Sequence, residues 1–438
     1  MAHFAILCPP LPGHINPMAV LARELEARGH RTTFLGFPDM RAKLPAGQAF
    51  VRFGGEDWPE GSLAPYLERL SRLGSPLSLL RLIRDLAGFA ETICTTLPAA
   101  LGQIKPDGLV IDQTDAAASL VATALGIPFV NIANALPLNL EPGVPPPVLP
   151  WPYDPSDGGI RRNLGGYRVA RWIERPITKV IRRHAKRLGR PDIRFADEAW
   201  SELGQVTQCI RGLDFPRREL PANFHYLGPF RGSEPPLEID LPDDGRPLIF
   251  CSFGTLQGSR ASLFRAVAES VEPLDAHLLI AHGGMLSERD IARLPGKPLV
   301  HAFFPQRAVL SRSALAITHC GFNTVLDSLA HAVPMVALPI AFEQPATAAR
   351  LEHAGVGQAL HRRRTAKPIR EAVERVMGDA RYRQQALVLS KEIAASGGAP
   401  RAAELIEQAL GAGAPRATAT MARAAPNDAR GDSRNGSS

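Results

Sequence analysis

The sequence predicts an α/β protein with two doubly wound, Rossmann-like domains, each built on a parallel sheet. Three observations carry that expectation. Short apolar runs such as Phe4–Cys8, Gly108–Ile111, Pro247–Phe253 and Leu315–Thr318 are too brief for helices and read as strands covered on both faces. Between them lie longer stretches with apolar residues at helical spacing, so strand and helix alternate along the chain. The 438 residues also exceed what one hydrophobic core sustains, so two domains of roughly 200 residues are expected.

Residues 1–231 form the first domain in this reading. After the strand Phe4–Cys8 comes a loop to Asn16, then a helix Pro17–Arg28, with Asn16 as N-cap and Pro17 in the first helical position. The loop, PPLPGHINP, has one glycine where a dinucleotide pyrophosphate needs the G-x-G-x-x-G set. It offers His14 instead. From position alone, His14 is either a polar loop residue beside a helix cap or a general base, since a neutral imidazole takes a hydroxyl proton near pH 7. Asp112, at the end of the strand Gly108–Ile111, would reach the same rim and orient that base. Asp115 is the competing carboxylate, and capping the helix Ala116–Leu125 is the alternative role for either.

Further along, Pro137–Pro155 holds eight prolines, which excludes helix and central strand. It is expected as an extended loop that either lines an acceptor pocket, with Trp151 and Tyr153 as walls, or covers plain surface. From Arg161 to Arg190, eleven Lys or Arg residues face a single acid, Glu174. The pattern predicts a helix kinked at Pro176, with Val169, Trp172, Ile173, Ile177, Val180, Ile181 and Leu188 turned to the core. Its basic face either is solvated or rests on anionic lipid.

Residues 232–246, GSEPPLEIDLPDDGR, read as an interdomain linker. The second domain then spans 247–410, with strands at Pro247–Phe253, His277–Ala281 and Leu299–Phe303, and 411–438 is expected as a disordered tail. The stretch Phe303–Gln344 organises this domain: a buried strand, a polar turn, a helix start and a second strand follow in succession. His319, Gly321, Asn323 and Thr324 stand at that turn, where open sheets bind ligands and free helix N–H groups favour a pyrophosphate. Gly254-Thr255 repeats the strand-end logic as a second donor-bearing turn.

Composition excludes several classes. The formal charge of +7 comes without a long basic run interleaved with aromatics, so nucleic acid is not an expected partner. Five scattered cysteines without a C-x-x-C pair read as reduced core residues of a cytoplasmic protein. No signal peptide, membrane span or metal-ligand motif is read from the sequence, and no cofactor is expected.

Taken together, Phe303–Gln306, the run His319–Thr324 (HCGFNT) and Glu343-Gln344 resemble the signature of the UDP-sugar-dependent glycosyltransferases of GT-B fold, which implies that the two domains face one another across a cleft. HFAILCPPL, LDFPRREL, FHYLG, FGTLQGSR, GFNTVLDSLAHAVPM and FEQPATAARL resemble the bacterial carotenoid-glucosylating branch, from the N-terminus to about Leu410. The resemblance implies that His319, Asn323 and Thr324 bind the diphosphate of UDP-glucose, with Gly321 allowing close approach and Thr255 adding a contact. It implies Asp327 on the ribose, Phe303 on the uracil, Gln306 beside base and ribose, and Glu343 and Gln344 on the sugar. His14 becomes the catalytic base and Asp112 its partner. The implied reaction is inverting transfer, with no cofactor required, to a hydrophobic hydroxylated acceptor, the carotenoid zeaxanthin. The enzyme would be cytoplasmic, touching the inner face of the membrane through residues 161–190. Phe303 stands where the plant branch carries Trp, Asp327 where Glu is usual, and Glu343 where Asp is also common. The rival readings are transfer to a soluble macrolide or phenol, a UDP-sugar epimerase of the same fold, and a non-catalytic nucleotide-binding protein.

Overall fold

The computed structural model describes residues 1–71, 76–234, 236, 238–258 and 260–411; the expected tail from 412 onward lies outside them. The first sheet contains β1 (His3–Leu7), β2 (Arg31–Gly36), β3 (Phe50–Arg52), β4 (Gly108–Asp112), β5 (Phe129–Ala133), β6 (Gln205–Thr207) and β7 (Phe224–Tyr226). The strands are parallel and lie in the order β3-β2-β1-β4-β5-β6-β7. The second sheet contains β8 (Leu248–Ser252), β9 (His277–Ala281), β10 (Leu299–His301), β11 (Ser313–Thr318), β12 (Met335–Ala337) and β13 (Gly357–Ala359). These too are parallel, in the order β10-β9-β8-β11-β12-β13.

Both faces of each sheet are covered, which is why the strands read as unbroken apolar runs. Along β1, Ala5 and Leu7 enter one core while Phe4 and Ile6 enter another across the sheet. Along β8, Leu248 and Phe250 face away from Ile249 and Cys251 in the same way. Strand order reverses between β1 and β4 in the first sheet and between β8 and β11 in the second, and a crevice opens at each switch point. Registers Leu7↔Ile111 and Ser252↔Thr318 bring the residues after these strands side by side.

Four sequence expectations are corrected. The first helix runs Pro12–Ala27, not from Pro17. Pro12 takes the favoured opening position, and Pro17 sits inside, where its missing N–H leaves the Gly13 carbonyl without an intrahelical donor. That carbonyl accepts from Asn323 Nδ2 of the second domain at 2.9 Å. The basic segment is two helices, Asp157–Ile173 and Arg175–Arg187, because Pro176 is accommodated at the start of a new helix rather than inside one. Within it, Val169 and Trp172 do not face the core: they are 57% and 65% exposed, beside Leu164 at 37%. Val180 and Ile181 are buried as expected.

The fourth correction concerns the domain boundary. The last helix, Gly398–Gly411, does not stay with the second domain. Its Ala399, Ala402, Ala403 and Ile406 share a core with Phe4, Ile6 and Val130 of the first sheet, and Glu407 pairs with Arg28 and His30. Alanines on that face let the helix approach closely, and Gly397 and Gly398, both in the left-handed region (φ 88° and 53°), turn the chain back. The linker 232–246 carries no helix or strand among its described residues, and Pro137–Pro155 is likewise irregular. In that loop Tyr153 stacks on Phe215, while Trp151 lies against Gly166 and carries the Arg162 guanidinium. All five cysteines are buried free thiols.

Candidate active site

The helix start at Pro12 places His14 in a first turn rather than on a loop, so a rigid element holds it at the β1/β4 crevice. Its Nδ1 lies 2.7 Å from Asp112 Oδ2 at the end of β4. Asp112, fully buried, also accepts from Thr114 N at 2.9 Å, Thr114 Oγ1 at 2.6 Å and Asn134 Nδ2 at 2.6 Å. Burial alone would raise its pKa, but the His14 charge and these hydrogen bonds hold it below the usual carboxylate value. For His14, burial works downward and is outweighed by Asp112, with smaller contributions from Glu343 and Asp115, so the imidazole pKa is raised. With Nδ1 committed to Asp112, Nε2 is the nitrogen left for an acceptor hydroxyl.

Asp115 is thereby set aside as the orienting carboxylate. It stands at the N-cap of the helix Ala116–Leu125 without a side-chain cap bond. Burial, with Asp112 adding to it, pushes its carboxyl up to about 8.

Across the cleft, His319 follows β11 and begins a tight turn. Cys320 adopts φ 67°, a left-handed conformation costly for a residue with a side chain. A Cβ on Gly321 would meet His319 Nε2 at 2.4 Å, and one on Gly254 would meet it at 3.1 Å. The ring therefore lies between the two glycine turns that follow β8 and β11. Burial lowers its pKa to about 4, so it is a neutral imidazole at pH 7. Gly321 caps the helix Phe322–Ala330, whose first turn carries Asn323 and Thr324 and presents unpaired backbone N–H groups.

The other donor-side candidates converge there. Gln306 Nε2 donates to Asp327 Oδ2 at 2.7 Å, and Thr324 Oγ1 lies 3.5 Å from Gln306 Oε1. Phe303, 64% exposed, offers an open ring face at the rim, and Thr255 is exposed on the turn after β8. Glu343 is half-buried; burial raises its pKa, only partly offset by a backbone hydrogen bond and the charge of His14 across the cleft. Gln344 does a different job from the one expected of its carbonyl end: its Oε1 accepts the N–H groups of Ile340 and Ala341, both at 2.9 Å. Only its amide nitrogen is left for a sugar hydroxyl.

Several site-supporting residues escaped the sequence reading. Asn134 and Gln208 each stand one residue past a strand, β5 and β6, so the strand-end argument that singled out Asp112 would have found them. Arg231 reaches across the cleft, with Nε 2.5 Å from Asp327 Oδ1 and Nη2 3.1 Å from Asn323 Oδ1. Deeper between the domains, Asp214 bonds Arg217 Nε and Arg350 Nε, both at 2.7 Å, with all three side chains buried. Burial would raise the Asp214 carboxyl, yet Arg350 and then Arg217 hold it down to about 2.

Comparison with known proteins matches this arrangement. Residues 206–394 match a family model described as UDP-glucoronosyl and UDP-glucosyl transferase. The chain is 36% identical to a zeaxanthin glucosyltransferase of Pantoea ananas, covering 95% of this chain and 97% of the relative. It is 38% identical to one of Pseudescherichia vulneris, covering 94% and 98%. The crystal structure of the calicheamicin glycosyltransferase superposes with a TM-score of 0.76 at 24% identity, covering 95% of this chain and all of the other.

Proposed function

The chain belongs to the UDP-glucuronosyl and UDP-glucosyl transferase family, as a glycosyltransferase of GT-B fold, and on that premise we propose that it moves glucose from UDP-glucose to a hydroxyl of zeaxanthin with inversion. The observation that carries the reading is the His14–Asp112 pair facing the His319 turn. His14 Nε2 takes the acceptor proton as the acceptor oxygen attacks the anomeric carbon. Asp112 fixes the tautomer and stabilises the imidazolium. The bond from that carbon to the diphosphate breaks, and UDP leaves with the added charge.

Neutral His319, Thr255 and the amides of the Phe322–Ala330 helix start meet that charge as preorganised donors. The reading asks for no metal or other cofactor. Phe303 would lie on the uracil and Asp327, with Gln306, on the ribose. Glu343 and the Gln344 amide would take sugar hydroxyls. A single displacement at an α-linked donor gives a β-glucoside.

Acceptor choice rests on the zeaxanthin glucosyltransferases to which the chain is similar and on the first domain's surface. Exposed Leu164, Val169 and Trp172 stand among exposed Arg161, Arg168, Arg171 and Arg175, a composition suited to an anionic bilayer interface. No helix among the described residues is long and apolar enough to cross a membrane; the proposal is peripheral contact on the cytoplasmic face. The deciding assay offers UDP-glucose with zeaxanthin in anionic liposomes, against soluble phenols and macrolides. Carotenoid glucosides are the expected product. Turnover of the soluble acceptors alone overturns the carotenoid reading.

A further inference from the structure

Five hydrogen bonds run without interruption from the catalytic base to the candidate ribose carboxylate on the other domain, and a sixth continues to Gln306. His14 Nδ1 meets Asp112 Oδ2 at 2.7 Å, and the same oxygen accepts from Asn134 Nδ2 at 2.6 Å. Asn134 Oδ1 accepts from Gln208 Nε2 at 2.8 Å, and Gln208 Oε1 accepts from Arg231 Nη1 at 3.1 Å. Arg231 Nε donates to Asp327 Oδ1 at 2.5 Å, and Asp327 Oδ2 accepts from Gln306 Nε2 at 2.7 Å.

The direction of the chain follows from its ends. A carboxylate at Asp112 only accepts and a guanidinium at Arg231 only donates, so both intervening amides have one permitted orientation. Asn134 and Gln208 are fully buried, and reversing either would set like groups against each other in a low-dielectric interior. A half-satisfied chain of this kind costs more than an apolar core.

Arg231 is the member that crosses the cleft. It is the last residue before the linker, and it grips three groups of the donor half: Asp327 Oδ1, Asn323 Oδ1 at 3.1 Å and the Asn323 carbonyl at 3.3 Å. Asn323 in turn donates to the Gly13 carbonyl, next to His14. Asp327 is one methylene shorter than glutamate, and the guanidinium behind it fixes where its carboxylate stands.

We propose that Arg231 is a positioning residue that ties Asp327 to the His14–Asp112 pair through Gln208 and Asn134, so that the placement of the donor carboxylate and the basicity of the catalytic pair are coupled. This rests on the reading that Asp327 holds the ribose of a uridine nucleotide. Neither Arg231 nor Gln208 reacts with substrate. Their removal acts through the residues they hold.

The test uses the full chain with Arg231→Met, Arg231→Lys, Gln208→Met and Asp327→Ala, each checked by thermal melting. UDP affinity is read by calorimetry and kcat/KM as a function of pH. Arg231→Met is expected to weaken UDP at least tenfold, and Arg231→Lys to recover part of that loss. Gln208→Met is expected to leave UDP affinity within about twofold. It should nevertheless move the acid limb of the pH profile to higher pH, because Asn134 loses the partner that fixes its amide, its bond to Asp112 weakens, and Asp112 then holds the His14 proton more tightly. A wild-type pH profile in both Gln208→Met and Arg231→Met overturns the coupling. Weakened UDP in Asp327→Ala with none in Arg231→Met removes Arg231 as the positioning residue. Unchanged UDP affinity in Asp327→Ala defeats the ribose reading instead and leaves the pH profiles to decide the coupling.

Discussion

The two halves of the cleft are prepared differently. On the first domain, His14 and Asp112 hold one another at 2.7 Å with the carboxylate saturated by Thr114 and Asn134, all of them groups of that same domain. On the second domain, Asn323 and Asp327 take their partners from the other half of the cleft, Gly13 and Arg231. Buried polar atoms without partners are expensive. The His14–Asp112 pair is complete within its own domain, whereas the candidate donor side is complete only while the two domains stand together.

That contrast is open to attack, and the strongest attack is on the prepared half. His14→Ala should lower transfer by roughly 10³-fold while leaving UDP affinity intact. Full activity would remove the base assignment and with it the difference between the halves. Asp112→Asn should cost about 10²-fold and move the acid limb of kcat/KM to lower pH. The sign follows from Asp112 raising the His14 pKa: the base works when neutral, so activity falls as pH drops through that raised value. An unmoved limb would mean that the profile reports some other group.

Between the halves, Asp214→Ala leaves Arg217 and Arg350 buried without their carboxylate and should cost about 3–5 kcal/mol in denaturant unfolding. With the folded carboxyl held down to about 2, the Asp214 contribution is complete above its unfolded pKa and is lost only as pH falls through the folded value. A mild loss would place the contact outside the folded core. The smallest effect is sought at the donor rim. Phe303→Trp should tighten UDP by about two- to threefold through a larger stacking face, and no change would separate Phe303 from the base.

How much of this was legible in the sequence depended on whether the signal was local. Strand ends were: Asp112, His319 and Gly254 follow apolar runs whose closing residue is fixed by the covered sheet, and the switch-point rule places what comes next. The glycine turns were legible for the same reason, as a Cβ at Gly321 has no room. The start of the first helix was not, because Pro12 and Pro17 are each acceptable first residues and only the tertiary partner of the Gly13 carbonyl decides between them. Exposure of Val169 and Trp172 was missed because helical spacing predicts a stripe without saying that the helix ends at Ile173. Arg231 and Arg350 could not be found, since the carboxylates that explain them lie 96 and 136 residues away.

The return of the last helix to the first domain alters how the cleft can move. The chain passes between the domains at residues 232–246 and again ahead of Gly397-Gly398. Bodies joined at one flexible point retain three rotational freedoms. Joined at two, they retain one, about the line through both joints. Rotation about that line would carry the His319 turn along a single arc relative to His14, working against the core that Leu136, Ile210 and Leu213 of the first domain share with Leu248 and Phe250 of the second. A protease cut within 232–246 would leave the halves together, held by the Gly398–Gly411 helix on its alanine face and by the buried Asp214–Arg350 pair.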